Sequence, residues 1–446
     1  MKKLCIILLL LCTQVANSFP TVTEINPAIY SLMQQVDIDS LEAKIRYLQD
    51  LGPRPRIDTG AYYSVAHLNN IAAKNWLYQQ YENIGNLEVY FNHFLPENQC
   101  DTFYIDYGWI GIDTVYLAQA MNVVAVQKGT VYPDEYIIVC AHFDTGDMPH
   151  PMIQTPGADD NASGTSGVLE IARVLSQHSF KRSIIYLNNN GEEMSRPGFP
   201  MGSKIFAHCC RENDINILAV FNLDMIGYNP IDLPLKIFYN DHPPINKDFA
   251  KYFSEVANLY LSGIPALPNQ CENPSSGING WGDCTWFIRN DYPAMYIGHI
   301  MGRGLENYGN NPCYHLYCDT IGIGKIDAGV NSMELVKAYT QATLAAIAEL
   351  AELDFDSIED ENLINCFLNP NPTNSTVTMT LHLKDVGNLT VTLNNILSQE
   401  LFEIYSGFVD AKIFTKTFSM EALPKGVYYL KISHNGKMQM EKVIKK

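Results

Sequence analysis

The stretch that decides the fold is Tyr136–Asp144, which reads YIIVCAHFD. It begins with a short apolar run without alternation, a pattern typical of a buried parallel strand. His142 and Asp144 follow this run directly. Because the carboxyl ends of parallel strands hold side chains in rigid positions, the stretch predicts both a parallel sheet and a polar site at its edge.

Two further apolar runs end in the same way. Residues 183–187 lead to Glu192 and Glu193, and residues 218–223 lead to Asp224. Strands are also predicted at 122–127 and 136–140, on either side of a Lys-Gly turn. Apolar side chains at helical spacing predict helices at 41–51, 64–84, 164–177, 247–261 and 330–353. The alternation of strands and helices predicts an α/β fold with a mostly parallel central sheet flanked by helices.

The polar residues after these strands are of the types that zinc binds. Zinc takes imidazole nitrogen and carboxylate oxygen, and a catalytic site keeps one position open for water. Two zinc ions about 3.5–4 Å apart need a carboxylate that bridges them. Asp160, in the tight turn GADDN before a helix, suits that bridge. Glu192 and Glu193 leave their strand in different directions, so one can bind metal while the other serves as a general base.

These motifs, in this order and spacing, give the chain a resemblance to the co-catalytic zinc aminopeptidase family, which also includes glutamate carboxypeptidases and glutaminyl cyclases. The resemblance covers residues 41–353. It implies two zinc ions per chain with five ligands. The bridging ligand is Asp160, one ion is bound by His142 and Asp224, and the other is bound by Glu193 and His315.

The same resemblance implies two supporting roles. Glu192 falls on the general base of the family. Asp144 falls on the carboxylate that orients His142, a role that partners behind the ligands fill in many zinc sites. Asp319 has the corresponding position for His315. The expected reaction is hydrolysis of a peptide bond next to the N-terminal residue.

The subclass within the family stays open on sequence. Asp283-Cys284 stands where such enzymes often have Asp-His, and Gly191 precedes the glutamate pair, as in some cyclases. An aminopeptidase that acts on peptides is the favoured interpretation. A carboxypeptidase would need cationic groups such as Arg196 or Arg303, and a glutaminyl cyclase would act on N-terminal Gln with one zinc. A non-catalytic binding protein is the remaining alternative.

The segment that carries His315 is flanked by two long loops, 265–283 and 299–314. Loops of this length in a compact domain are often functional, so we expect them to shape a pocket. The aromatic candidates for its lining are Tyr228, Trp281, Phe287 and Tyr308. A disulfide between Cys313 and Cys318 would hold the loop that presents His315, and an exported protein permits such a bond.

The N-terminus predicts export. A charged start, an apolar run over 4–12 and small residues up to Ser18 are typical of a signal peptide, assigned to 1–18. No later apolar run reaches the roughly 20 residues of a bilayer span, so no transmembrane span is expected in the mature chain. Acidic residues outnumber basic ones by 48 to 30 among 446 residues, which argues against a nucleic-acid partner.

The character of the chain changes after the predicted catalytic region, 19–353. An acidic linker is predicted at 354–365, followed by a small antiparallel β-sandwich at 366–446 with strands near 376–383, 389–393, 402–405 and 427–433. The motifs NPNPT at 369–373 and LPKGVY at 423–428, with a basic terminus, resemble the C-terminal sorting domain of the type IX secretion system. That resemblance implies contact with secretion machinery and a secreted or surface location in a Bacteroidetes-type bacterium.

Overall fold

The structure is a computed structural model. It describes residues 19–55, 64–91, 121–146, 155–193, 202–228, 235–261, 270–272, 282–298, 311–322, 329–354, 364–395 and 399–446. The predicted signal peptide, 1–18, lies outside these ranges, as does most of the predicted linker. No helix among the described residues is long and apolar enough to cross a membrane.

A central sheet organises the first part of the chain. Its described strands are β1 (Glu88–Phe91), β2 (Val123–Gln127), β3 (Tyr132–His142), β4 (Arg182–Asn189), β5 (Asn216–Asp224), β6 (Lys236–Phe238), β7 (Gln270–Glu272) and β8 (Ala294–Gly298). They lie in the order β1-β2-β4-β3-β5-β8-β6-β7. The neighbouring strands β4, β3, β5 and β8 are parallel, so their carboxyl ends meet at one edge of the sheet.

Helices cover both faces of this sheet. They are α1 (Pro27–Met33), α2 (Ile38–Asp50), α3 (Ser64–Ile84), α4 (Gly164–Leu175), α5 (Gly202–Glu212), α6 (Ile245–Tyr260), α7 (Cys284–Arg289) and α8 (Met333–Ala351). One buried cluster includes Leu169 of α4 and Tyr339 of α8, and another includes Phe206 of α5 and Phe287 of α7. Because both faces are covered, the central strands are buried along most of their length.

The predicted fold class is confirmed, and the structure adds the strand pairing, which the sequence did not predict. The five predicted helices correspond to α2, α3, α4, α6 and α8. The strands β2 and β3 flank the Lys-Gly turn as predicted, yet they do not pair with each other. Instead, β4 lies between them and pairs with β2 in the antiparallel direction. A local turn signal does not reveal which strand becomes the neighbour.

The C-terminal region consists of two antiparallel sheets. Its strands are β9 (Asn365–Asn369), β10 (Thr376–His382), β11 (Gly387–Asn394), β12 (Glu400–Val409), β13 (Ile413–Ser419), β14 (Gly426–His434) and β15 (Lys437–Lys445). The sheet orders are β13-β10-β9 and β12-β11-β14-β15. Val377 of β10 and Leu430 of β14 belong to one buried cluster, so the sheets share a core. The predicted all-β domain is therefore confirmed, although β9, β13 and β15 were not predicted.

Candidate metal centre

The sheet edge brings the predicted ligands together. His142 is the last residue of β3, and Asp224 is the last residue of β5. Glu193 follows β4 by a few residues, and Asp160 lies in the turn before α4. His315 comes from the loop segment 311–322. Residues from five separate parts of the sequence thus meet at one place.

Two groups of ligand atoms share Asp160. We define the first donor set as His142, Asp160 and Asp224, and the second donor set as Asp160, Glu193 and His315. In the first set, His142 Nε2 lies 3.3 Å from Asp160 Oδ1 and 3.5 Å from Asp224 Oδ1. In the second, His315 Nε2 lies 3.1 Å from Asp160 Oδ2 and 3.0 Å from Glu193 Oε2. Asp160 therefore turns one oxygen to each set.

These spacings fit zinc. Two atoms bound about 2.1 Å from a tetrahedral zinc lie about 3.4 Å from each other, close to the distances within both sets. Among the described residues, Glu193 Oε1, Asp224 Oδ1 and His315 Nε2 are buried and have no hydrogen-bond partner. A buried polar atom without a partner is unfavourable unless an ion or water satisfies it, so the residues suit a bound cation.

The electrostatics of the cluster show how strongly these groups interact. Burial raises the pKa of Asp160, but the neighbouring imidazoles of His142 and His315 outweigh burial and hold this pKa far below its ordinary value. Burial raises the pKa of Glu193 to about 8. Burial lowers the pKa of His315, but the carboxylates of Asp160 and Glu193, 3.1 and 3.0 Å from its Nε2, prevail and raise this pKa to about 11. The histidines thus carry protons that a metal ion would displace.

Glu192 lies beside the two donor sets but belongs to neither of them. One of its oxygens groups with ligand atoms of His142 and Glu193, all within 4.8 Å of one another. Its Oε1 accepts a hydrogen bond from the backbone N–H of Gly282 at 3.1 Å. Burial raises the pKa of Glu192 well above its ordinary value. A carboxyl group with a raised pKa in this position is suited to accept and return a proton.

Asp144 makes contacts in addition to the expected one with His142. Its two carboxylate oxygens accept the backbone N–H groups of Glu192 and Glu193, each at 3.2 Å. Its carboxylate lies 3.6 Å from His142 Nδ1, while its main-chain carbonyl lies closer to that nitrogen, at 3.2 Å. The carboxylate therefore fixes the glutamate pair, and the main chain of Asp144 faces the imidazole.

Asp319 holds the Asp160 turn, whereas the sequence analysis assigned it to His315. Its oxygens accept the backbone N–H groups of Asp159 at 2.7 Å and of Asp160 at 3.1 Å. The prediction that the Asp319 carboxylate orients His315 is therefore wrong, because its hydrogen bonds are with the turn residues. The aspartate is close in sequence to the histidine, but its partners are the turn residues.

Asp159 joins three of the loops that carry ligands, a role that the sequence analysis missed. Its Oδ1 accepts the N–H of Gly227, just after β5, at 2.8 Å. Its Oδ2 accepts Asn311 Nδ2, from the loop that carries His315, at 2.9 Å. The only signal in the sequence was the doublet of aspartates at 159 and 160.

The His315 loop is closed by a disulfide between Cys313 and Cys318. His315 has a left-handed backbone with φ of 56°, which is uncommon for a residue other than glycine. The ring of Tyr314 stacks on the imidazole with centroids 3.8 Å apart. The disulfide that the sequence suggested is present, and it encloses this metal-ligand candidate.

Two of the four aromatic residues proposed for the pocket lining lie among the described residues. Phe287 is a fully buried core residue of α7, and Tyr228 is also buried. Trp281, Tyr308 and the two candidate cations, Arg196 and Arg303, lie outside the described residues. Cys209 takes part in a disulfide, whereas the adjacent Cys210 is free and buried.

Comparison with known proteins identifies the two regions. Residues 122–339, which contain the seven predicted site residues, match peptidase family M28. Residues 368–446 match the secretion system C-terminal sorting domain. The first region is thus a zinc metallopeptidase domain of family M28, and the second is a sorting domain of the type IX secretion system.

Curated relatives agree with this assignment. A "probable zinc metalloprotease" of Pyrenophora teres f. teres (strain 0-1) is 27% identical over 287 residues, covering 63% of this chain and 53% of the relative. Aminopeptidase Y of Saccharomyces cerevisiae is 26% identical over 246 residues, covering 54% of this chain and 42% of the relative. The chain thus spans about half the length of the curated relatives it matches.

Solved structures share the fold. The LapA aminopeptidase of Legionella pneumophila superposes with a TM-score of 0.55 at 19% identity, covering 76% of this chain and 79% of that one. An aminopeptidase from Aneurinibacillus sp. strain AM-1 gives a TM-score of 0.50 at 16% identity, covering 73% of this chain and 97% of that one. At these identities the likeness concerns the fold.

Proposed function

We propose that this protein is an exported zinc-dependent aminopeptidase that holds two zinc ions and removes N-terminal residues from peptides. The observation that carries the proposal is the placement of Asp160, whose two oxygens face separate donor sets. A bridging carboxylate between two sets of imidazole and carboxylate ligands is the arrangement that co-catalytic zinc chemistry requires. The first set holds one ion and the second set holds the other.

The residues around the donor sets supply the rest of the chemistry. When bound, two zinc ions at such positions polarise a carbonyl and lower the pKa of water to near neutrality. Glu192 takes the proton of the attacking water and then delivers it to the leaving amine. Asp144 holds the backbone of Glu192 and Glu193, which keeps the base and the ligand in separate orientations.

Export uses both ends of the chain. In this proposal the signal peptide, 1–18, directs the chain across the inner membrane, and the domain at 366–446 directs it across the outer membrane. The catalytic region is 19–353, and 354–365 is the linker. The sorting-domain match supports the second step. The substrates are then peptides outside the cell or at its surface.

The activity is tested with a panel of aminoacyl reporter substrates, with free and blocked N-termini, in the presence and absence of a chelator. We expect chelator-sensitive cleavage of the free-amine substrates only. Cleavage of substrates with a free C-terminus and a blocked N-terminus would contradict the proposal in favour of a carboxypeptidase. Cyclisation of a peptide that begins with Gln would contradict it in favour of a glutaminyl cyclase.

The role of Glu192 is tested by a matched pair of variants. Glu192→Gln removes the base and keeps the ligands, so we expect the loss of at least about 100-fold in kcat with two zinc ions retained. Glu193→Gln is the control, and it should lose one of the two ions. Metal analysis and steady-state kinetics measure both outcomes. Loss of metal from Glu192→Gln, or turnover near the wild-type rate, would refute the assignment.

A further inference from the structure

We propose that Arg54 is a positioning residue of the metal centre. In this inference its guanidinium sets the distance between the end of β3, which carries His142, and the turn that carries Asp160. The inference rests on the proposed two-zinc site, but it does not depend on which peptide bond is cleaved. Arg54 follows α2 and was not predicted to have any role.

The guanidinium connects the two ligand-bearing segments directly. Arg54 has no exposed surface. Its Nε donates to the carbonyl of Phe143, the residue between His142 and Asp144, at 3.0 Å. Its Nη1 donates to the carbonyl of Pro156 at 2.6 Å, and its Nη2 donates to the carbonyl of Gly157 at 3.1 Å. Gly157 begins the turn that contains Asp160, so one rigid planar group spans both segments.

The other contacts of Arg54 anchor it to the scaffold. Nη1 also donates to the carbonyls of Leu48, in the last turn of α2, at 2.6 Å and of Gly52 at 3.1 Å. The backbone N–H of Arg54 donates to Thr145 Oγ1 at 2.8 Å. Its carbonyl accepts Asn70 Nδ2, from α3, at 2.8 Å. The residue is therefore held from two helices, through its side chain at α2 and its main chain at α3, while the guanidinium holds the two loops.

The chemistry of this contact requires arginine. The acceptors of its side chain among the described residues are all main-chain carbonyls, which a planar fork with five N–H donors satisfies and a lysine with three donors does not. Burial lowers the pKa of Arg54 to about 10, while the charges of Asp319, Asp144 and Asp160 raise it. The guanidinium therefore remains charged at neutral pH, and its charge offsets part of the negative charge of the site.

The position of these loops determines whether the ligands meet. In the first donor set, His142 Nε2 and Asp160 Oδ1 are 3.3 Å apart. The turn that carries Asp160 is also held by Asp319, but that contact does not reach the end of β3. Partners behind metal ligands typically contribute about 10- to 100-fold to metal affinity or activity. We expect Arg54 to contribute in that range through the spacing of His142 and Asp160.

The test compares Arg54→Lys and Arg54→Met in the full chain by zinc affinity, measured by competition with a chromophoric chelator. Both variants should bind zinc about 10- to 100-fold more weakly than the wild type. The matched control is Lys44→Met, which removes another mostly buried cation, paired with Glu170 at 2.8 Å. It should lower Tm and keep the zinc affinity of the wild type. Wild-type zinc affinity in folded Arg54 variants would overturn the proposal.

A second variant covers the case in which Arg54 variants do not fold. A Cβ at Gly157, whose φ is 64°, would lie 2.3 Å from Thr145 Cγ2, 2.6 Å from the main-chain oxygen of Asp160 and 3.0 Å from Arg54 Nη2. Gly157→Ala should therefore push the turn away from an intact guanidinium and weaken zinc binding, and wild-type affinity would overturn the proposal. A wild-type protein that binds two zinc ions and cleaves no peptide would refute the proposed activity while leaving this zinc-affinity comparison decisive.

Discussion

The two donor sets combine the same chemical groups on different supports. In the first donor set, His142 and Asp224 end the adjacent strands β3 and β5, and their side chains are 1% and 6% exposed. In the second, Glu193 and His315 lie on loops, and the His315 side chain is 23% exposed. The first set is thus fixed by the sheet, whereas the second depends on hydrogen bonds and on a disulfide.

This difference has a consequence for metal binding. Residues at the ends of paired strands are held by the hydrogen bonds of the sheet, and β3 pairs with β5 up to Asn222. A loop opens at a lower free energy than the core strands of a sheet do. We therefore expect the second donor set to release its ion first, and to respond more strongly to changes in its surroundings.

The largest effect is expected from Asp160→Asn, which removes the part common to both sets. The amide cannot bridge two cations as a carboxylate does, so both ions should be lost or greatly weakened, with activity reduced more than about 100-fold. Zinc content after dialysis and kcat measure this result. Asp134→Asn, at an exposed position near the start of β3, is the control and should keep both ions. Two retained ions in Asp160→Asn would show that the aspartate is not the bridge.

Variants that lack a ligand from only one donor set distinguish support by the sheet from support by the loops. Asp224→Asn should weaken the first set and leave one ion on the loops, whereas His315→Gln should leave one ion at the strand ends. Because the sheet is the more rigid support, the ion that remains in His315→Gln should dissociate more slowly. Chelator-induced release, followed by stopped flow, measures the two rates. Equal rates would remove the distinction between the sets.

The affinity of the second donor set for zinc should depend on pH, because His315 holds a proton when no metal is bound. Without metal, the carboxylates of Asp160 and Glu193 raise the pKa of His315 to about 11, so this imidazole holds a proton at neutral pH. Zinc must displace this proton, so its affinity should fall as pH falls, by about tenfold per pH unit for each proton released. Calorimetry of Asp224→Asn in buffers of different ionisation enthalpy counts the protons. Zinc binding without proton release at pH 7 would contradict this expectation.

The smallest effect is expected from opening the disulfide. In Cys313→Ser combined with Cys318→Ser, the His315 loop loses its covalent closure but keeps the contacts of Asn311 with Asp159. The second ion should bind several-fold to about tenfold more weakly, since the loop gains conformational freedom in the metal-free state. The first ion should bind as in the wild type, and titration with a chelator distinguishes them. A loss confined to the first ion would reverse the comparison.

The sequence predicted the parts of the fold that depend on local patterns. Buried apolar runs marked β3, β4 and β5, and helical periodicity marked helices such as α4 and α8. The pairing of β2 with β4 depends on contacts distant in sequence, so it was not predicted. β13 and β15 together contain four lysines, a residue type depleted in strands, and this composition concealed them.

The residues of the candidate site also fall into those that the sequence predicted and those that it did not. Its proposed ligands were predictable because polar residues after apolar strands stand out and because they match a family pattern. Arg54 was not predictable, since its side chain contacts main-chain carbonyls, and a carbonyl is present at every residue. The contacts of Asp159 and Asp319 with backbone N–H groups escaped prediction for the same reason.

The most direct test of the two-set account is a crystal structure of the zinc-loaded protein with anomalous data on both sides of the zinc absorption edge. The account predicts two peaks about 3.5–4 Å apart, one against His142 and Asp224 and one against Glu193 and His315, with Asp160 touching both. A single peak, or an Asp160 that contacts only one ion, would contradict it.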